Sequence, residues 1–94
     1  MQVIFTVQVE EDLEEIGDYI AIDNPSRAVS FVGEIREHCA KIASSPLGYT
    51  SRLDLGEGVR SCSHGRYVIL FQSSDTEVLI VRVLHGARDL SALL

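Results

Sequence analysis

The chain has 94 residues, 46% of them hydrophobic, and a net charge of −6 at pH 7. That is enough for one domain with its own core, spanning residues 1–94, and it excludes a disordered chain. The acidic balance argues against a general nucleic-acid binder: all of the net charge lies before Gly48, and beyond it acids and arginines cancel, so an anionic partner has to be met locally. No apolar run approaches the ~20 residues of a membrane-spanning helix. The start Met1-Gln-Val-Ile-Phe5 lacks the basic n-region and long apolar core of a signal peptide, so the expected location is the cytoplasm, with no membrane partner. Cys39 and Cys62 form no CxxC pair, and His38, His64 and His85 show no ligand spacing, which predicts reduced thiols, no metal and no cofactor. Cys39 reads as a small core hydrophobe.

In chain order, residues 2–9 alternate, with Val3, Phe5, Val7 and Val9 on one side, which predicts a half-buried strand. The period then lengthens: Leu13, Ile16 and Ile20 recur at helical spacing over residues 10–22, with Glu10, Glu11 and Asp12 in the first turn, where the helix dipole favours acids. Asp23-Asn-Pro-Ser26 breaks the chain and restarts it, Asn24 as cap and Pro25 at the first helical position. Ala28, Phe31, Val32, Ile35, Cys39, Ile42 and Ala43 then give the strongest helical period in the chain. A short connection between two such helices predicts an antiparallel hairpin. Burying each large side chain contributes roughly 1.5–3 kcal/mol before conformational entropy is counted.

Residues 44–58 read as a long irregular stretch, and Leu47, Tyr49, Leu53 and Leu55 suggest that it lies across the core. Three strands follow, over residues 59–63, 66–72 and 77–84, the first two joined at His64-Gly65 and the last two at Ser73-Ser-Asp-Thr76. The predicted order is β-α-α-β-β-β: an α+β domain with the helical hairpin on one face of a twisted, mainly antiparallel sheet and the other face partly open.

The working surface is expected on the last strand, because Val78-Leu-Ile-Val81 is too apolar to face water on either side and Arg82 interrupts it. The run ends at His85-Gly86, with Arg88-Asp89 next, so one rigid strand delivers Arg82, His85 and Arg88 into a small region; Arg60 has a similar claim from a shorter strand. Each has a plainer reading. Arg82 could pair with Glu77 or Asp89, His85 could bond backbone at a strand end, and Arg88-Asp89 could be a surface ion pair worth under ~1 kcal/mol. His64 reads as a turn residue and Tyr67 as core with its hydroxyl at the rim.

Asp12-Leu13, Ile16, Tyr19-Ile20, Asn24-Pro25, Ala28 and Phe31, then Ser45-Pro46, Gly58-Val-Arg60, Arg66-Tyr-Val-Ile69, Arg82-Val-Leu-His-Gly86 and Arg88-Asp89, together resemble the ParE branch of the RelE/ParE toxin superfamily along nearly the whole chain. The resemblance implies the toxin of a type II toxin–antitoxin pair, a DNA gyrase inhibitor neutralised by a cognate antitoxin of the ribbon-helix-helix type, with operator DNA reached only through that antitoxin. Arg60, Arg82, His85 and Arg88 are then the candidate target-binding residues. The alternative is a RelE-like, ribosome-dependent mRNA endoribonuclease, in which Arg60 and Arg82 would clamp the phosphate and His85 would move a proton. Against it stand a single lysine, Lys41, no tyrosine after Arg88 and no evident second proton donor.

Overall fold

The computed structural model describes residues 1–87, so Arg88 and Asp89 lie outside the described residues. Strand β1 spans Gln2–Phe5, helix α1 Val7–Ala21 and helix α2 Pro25–Ser44; after a 3-10 turn at Pro46–Gly48 come β2 (Thr50–Ser51), β3 (Arg60–His64), β4 (Tyr67–Ser73) and β5 (Glu77–His85). The sheet order is β1-β5-β4-β3-β2. All neighbours are antiparallel except β1, which runs parallel to β5 with Val3 opposite Val78 and Phe5 opposite Ile80.

The helices pack on one face, as expected, and α2 begins where the sequence puts it: Pro25 occupies the first turn and the Asn24 side chain accepts from the Arg27 N–H at 3.0 Å. The start of α1 differs. The strand ends at Phe5, and the Thr6 hydroxyl accepts from the Val9 N–H at 3.1 Å, capping a helix that begins three residues earlier than the expected position 10. The alternation through Val7 and Val9 is therefore coincidental. Val7 is 78% exposed, whereas Val9 is fully buried because it lies one helical turn before Leu13.

The main core joins Val9, Leu13 and Ile16 of α1 with Ile35, Cys39 and Ile42 of α2, above Cys62, Ile69, Phe71, Val78, Ile80 and Val83 of the sheet. Ile35 is wholly buried and contributes nothing to the surface. The opposite face is not simply open: Leu55 and Val59, from the long connection, cover Leu70 and Leu84 in a second small cluster with Val68 and Val81 at its margin. Within that connection Tyr49 packs edge-on against Phe71 at 5.7 Å, while Leu47 and Leu53 are 73% and 74% exposed. Only half of its apolar residues reach a core.

A β-bulge sets the position of the last strand. Phe71 pairs with Ile80 and Leu70 with Arg82, so Val81 is one residue extra on β5. Val78 and Ile80 face the helices before the bulge, and Val83 faces them after it. The even-to-odd switch sends Leu84 to the second cluster and leaves Arg82 at the junction between the faces.

Candidate functional site

Because β1 stops at Phe5, the outer edge of β5 has no strand beside it past Ile80 among the described residues. Helix α1 runs along that edge instead. The Thr6 hydroxyl donates to the Ile80 carbonyl at 3.3 Å, and further on the Asp12 carboxylate accepts from the Val83 N–H at 3.1 Å. The same carboxylate takes two bonds from the Arg82 guanidinium, from Nε at 2.8 Å and Nη2 at 2.9 Å. Asp12 is only 4% exposed, and both oxygens are engaged by charge-assisted or backbone donors. The carboxylate holds the guanidinium pKa above its ordinary value, chiefly through these hydrogen bonds.

Arg82 thus has an ion-pair partner on α1, not Glu77 of its own strand, and Asp89 lies outside the described residues. Asp12 belongs to the site and not to a solvated helix face. A signal for it was present: an acid on the Val9–Leu13–Ile16 stripe and an arginine in an apolar strand are each costly alone and complementary together.

Beyond this pair opens a groove of about 810 Å³. Helix α1 supplies Glu15, Ile16, Tyr19 and Ile20, the first turns of α2 supply Arg27 and Phe31, the β3–β4 turn supplies Gly65 and Arg66, and Tyr67, Leu84 and His85 close it from the sheet. The lining sets apolar and aromatic side chains beside a few charged ones, the composition expected of a recognition groove. Tyr67 meets Phe31 at 5.7 Å and His85 at 5.4 Å between ring centroids, and Arg27 lies 5.1 Å over the Phe31 ring while also paired with Glu34. The turn that shapes this wall is Gly65-Arg66, one residue later than expected, with Gly65 at φ +59° and Phe31 directly beneath it.

Of the sequence-expected residues, Arg82 and His85 line this groove and Arg60 does not. Arg60 stands at the opposite end of β3 from the turn, and its Nη1 donates to the Tyr49 carbonyl at 2.7 Å, fastening the long connection to the sheet. His85 accepts from the Ala87 N–H at 3.2 Å through Nδ1, the strand-end bond anticipated as its plainer role. Arg66, Tyr19 and Arg27 join the site without having been singled out for it. They come from three separate segments that only the folded topology brings together.

A second cluster lies between α2 and β3. The His38 Nε2 is 3.1 Å from the Cys62 Sγ, and its Nδ1 is 2.9 Å from the Nδ1 of His64. His38 uses its two nitrogens on different partners, so the three side chains do not converge on one point; among the described residues no group of histidine, cysteine or carboxylate side chains is placed to hold a metal. Burial pushes both thiols up, Cys39 to about 12. His64 is therefore more than a turn residue.

A helical hairpin on a mostly antiparallel sheet is the fold this chain shares with solved ParE- and RelE-type structures. It superposes with TM-score 0.77 on a chain of the chromosomal ParDE toxin–antitoxin system of P. aeruginosa, at 23% identity over 90% of this chain and 95% of that one. A chain of the RelBE2 toxin–antitoxin complex of Mycobacterium tuberculosis gives TM-score 0.66 at 27% identity, over 89% and 95%. The family model for the ParE toxin of type II toxin–antitoxin systems matches residues 3–90, and the chain belongs to that family. No curated protein matches it. Among the described residues no helix is long and apolar enough to cross a membrane.

Proposed function

We propose that this ParE-type toxin arrests growth by binding DNA gyrase and is held inactive by a cognate antitoxin, of the ribbon-helix-helix class, whose amphipathic segment fills the groove between α1 and the end of β5. The observation that carries the reading is the groove itself. It offers Ile16, Ile20, Phe31 and Tyr67 as an apolar floor between α1 and the end of β5, which suits a helix laid in the groove. The two solved structures named above belong to toxin–antitoxin systems, which supports a protein partner of this kind.

Support for an inhibitor over a nuclease comes from how the cations are used. Arg82 is bound to Asp12 and Arg60 to the Tyr49 carbonyl at the far end of β3, so the clamp imagined for a scissile phosphate is not assembled around His85. The likeness to the RelBE2 chain keeps one rival reading, ribosome-dependent mRNA cleavage. Two measurements separate them. Purified toxin should inhibit gyrase supercoiling, and co-purified antitoxin should relieve it; primer extension on transcripts after induction should show no new 5′ ends. Codon-positioned cuts together with unimpaired supercoiling would replace the gyrase reading with the nuclease one.

A further inference from the structure

We propose that the His38–His64 contact is an acid-sensitive latch: it holds the β3–β4 turn against α2 while the pair carries at most one proton, and its release widens the groove. The inference concerns the groove's shape and does not depend on what occupies it.

The geometry decides which protonation states fit. Two Nδ1 atoms 2.9 Å apart need one hydrogen between them: one ring donates and the other accepts. The neutral pair satisfies this, and so does the pair with a single added proton, which can reside on a nitrogen outside the contact. A second proton puts an N–H on both facing atoms. The hydrogen bond then becomes a contact between two donors on two cations, and the rings have to part.

The surroundings offset that charge only in part. Lys41, on α2 one turn beyond His38, adds a third positive charge, and the groups facing the pair from β3 and β4 are the Cys62 thiol and, through Phe31, the Tyr67 ring. Glu34 of α2 is the nearby acid: it is attracted to His64, but its main partner is Arg27, whose charge it already balances. Burial, then His64, then Lys41 hold the His38 pKa below its ordinary 6.5. A depressed folded-state value means that the unfolded chain takes up protons first. The latch therefore contributes its full stability above pH 6.5 and loses it as pH falls from there through the folded-state value.

The contact is connected to the groove by a continuous row of rings. His38 meets His64 at 5.2 Å, His64 meets Phe31 edge-on at 5.3 Å, Phe31 meets Tyr67 at 5.7 Å, and Tyr67 meets His85 edge-on at 5.4 Å. His64 is also the residue before the Gly65-Arg66 turn that forms one wall of the groove. Separating the histidines moves that turn off Phe31 and takes the wall with it. This is a packing event driven by local charge.

The test is an NMR titration of ring resonances from pH 8 to 5 in a His85→Gln background, so that the tyrosine signals do not report His85 itself. Expected is a concerted shift of the Phe31 and Tyr67 ring signals as the His38–His64 pair takes up its second proton, together with a Tm that falls over the same interval. In His64→Gln, which cannot become a second cation, the ring response should disappear and the fall in Tm should shrink to the part that burial of His38 alone causes. In Phe31→Leu the histidines should still titrate in two steps while Tyr67 stops responding. Independent titration of the two imidazoles, or a Tyr67 shift that survives in His64→Gln, would overturn the proposal.

Discussion

Asp12 and Arg82 are the pair on which single-residue changes should act most strongly. Asp12→Ala removes the carboxylate that both the mostly buried guanidinium and the Val83 N–H bond to, and breaking such a buried pair costs about 3–5 kcal/mol. In a domain of this size each kcal/mol moves Tm by roughly 4–8 °C, so thermal melting should detect it readily. Arg82→Ala should also destabilise, because it strands a carboxylate that is 4% exposed. Replacing both by leucine should be milder than either single change, since neither charge is then left unpaired. If Arg82 instead contacts the target, Arg82→Ala should abolish toxicity by more than the loss of folded protein explains; measuring Tm and toxicity on the same variant separates the roles. The thiols give a simpler check. With Cys39 wholly buried and pushed up to about 12, and Cys62 also raised, neither should react with a thiol reagent at pH 8 until the protein is unfolded.

At the scale of elements, caps and bulges decide what hydrophobic pattern alone cannot. Thr6 both caps α1 and donates to the Ile80 carbonyl, so Thr6→Ala should cost about 1–2 kcal/mol, measured by chemical denaturation. Deleting Val81 should be far worse, because removing the bulge turns Arg82, Val83 and Leu84 to the wrong faces; loss of a cooperative transition is the expected result. These two features mark where the sequence stops being legible. The period of α2 and its Asn24-Pro25 start are local signals, and the helix lies where they say. The start of α1 was masked because Val7 and Val9 fit both periods, and only the threonine cap distinguishes them. The bulge has no local signature, so Arg82 could be recognised as needing a partner while the partner could not be named. Arg60 was placed with the other candidates for its residue type, and the length of β3 separates it from them.

For the whole molecule, the groove makes a prediction about surface residues that do not hold the fold together. Tyr19 is 70% exposed at its rim, so Tyr19→Glu should leave Tm nearly unchanged. A charge there should nonetheless weaken antitoxin capture by more than tenfold, as expected when an aromatic anchor is lost from an apolar interface. Isothermal titration with the purified antitoxin measures this directly, and unaltered affinity would move the antitoxin away from this groove. The Glu10–Arg36 bridge, with bonds of 2.9 Å joining the helices on their outer side, is exposed and should matter little to either measurement.

The parallel pairing of β1 with β5 also orders events in time. The first strand made has for its sheet neighbour the last strand among the described residues, so nothing that leaves the ribosome before residue 77 can pair with β1. At roughly 5–20 residues per second, ~40 residues separate the end of α2 from the end of β5, and the helical hairpin waits on the order of 2–8 s with its apolar face uncovered. The groove needs Leu84 and His85 before it exists, so no shorter nascent form can offer it to a partner. A chain ending at residue 76 should therefore be protease-sensitive and unable to capture the antitoxin, which on the proposed reading can bind only once β5 has been added.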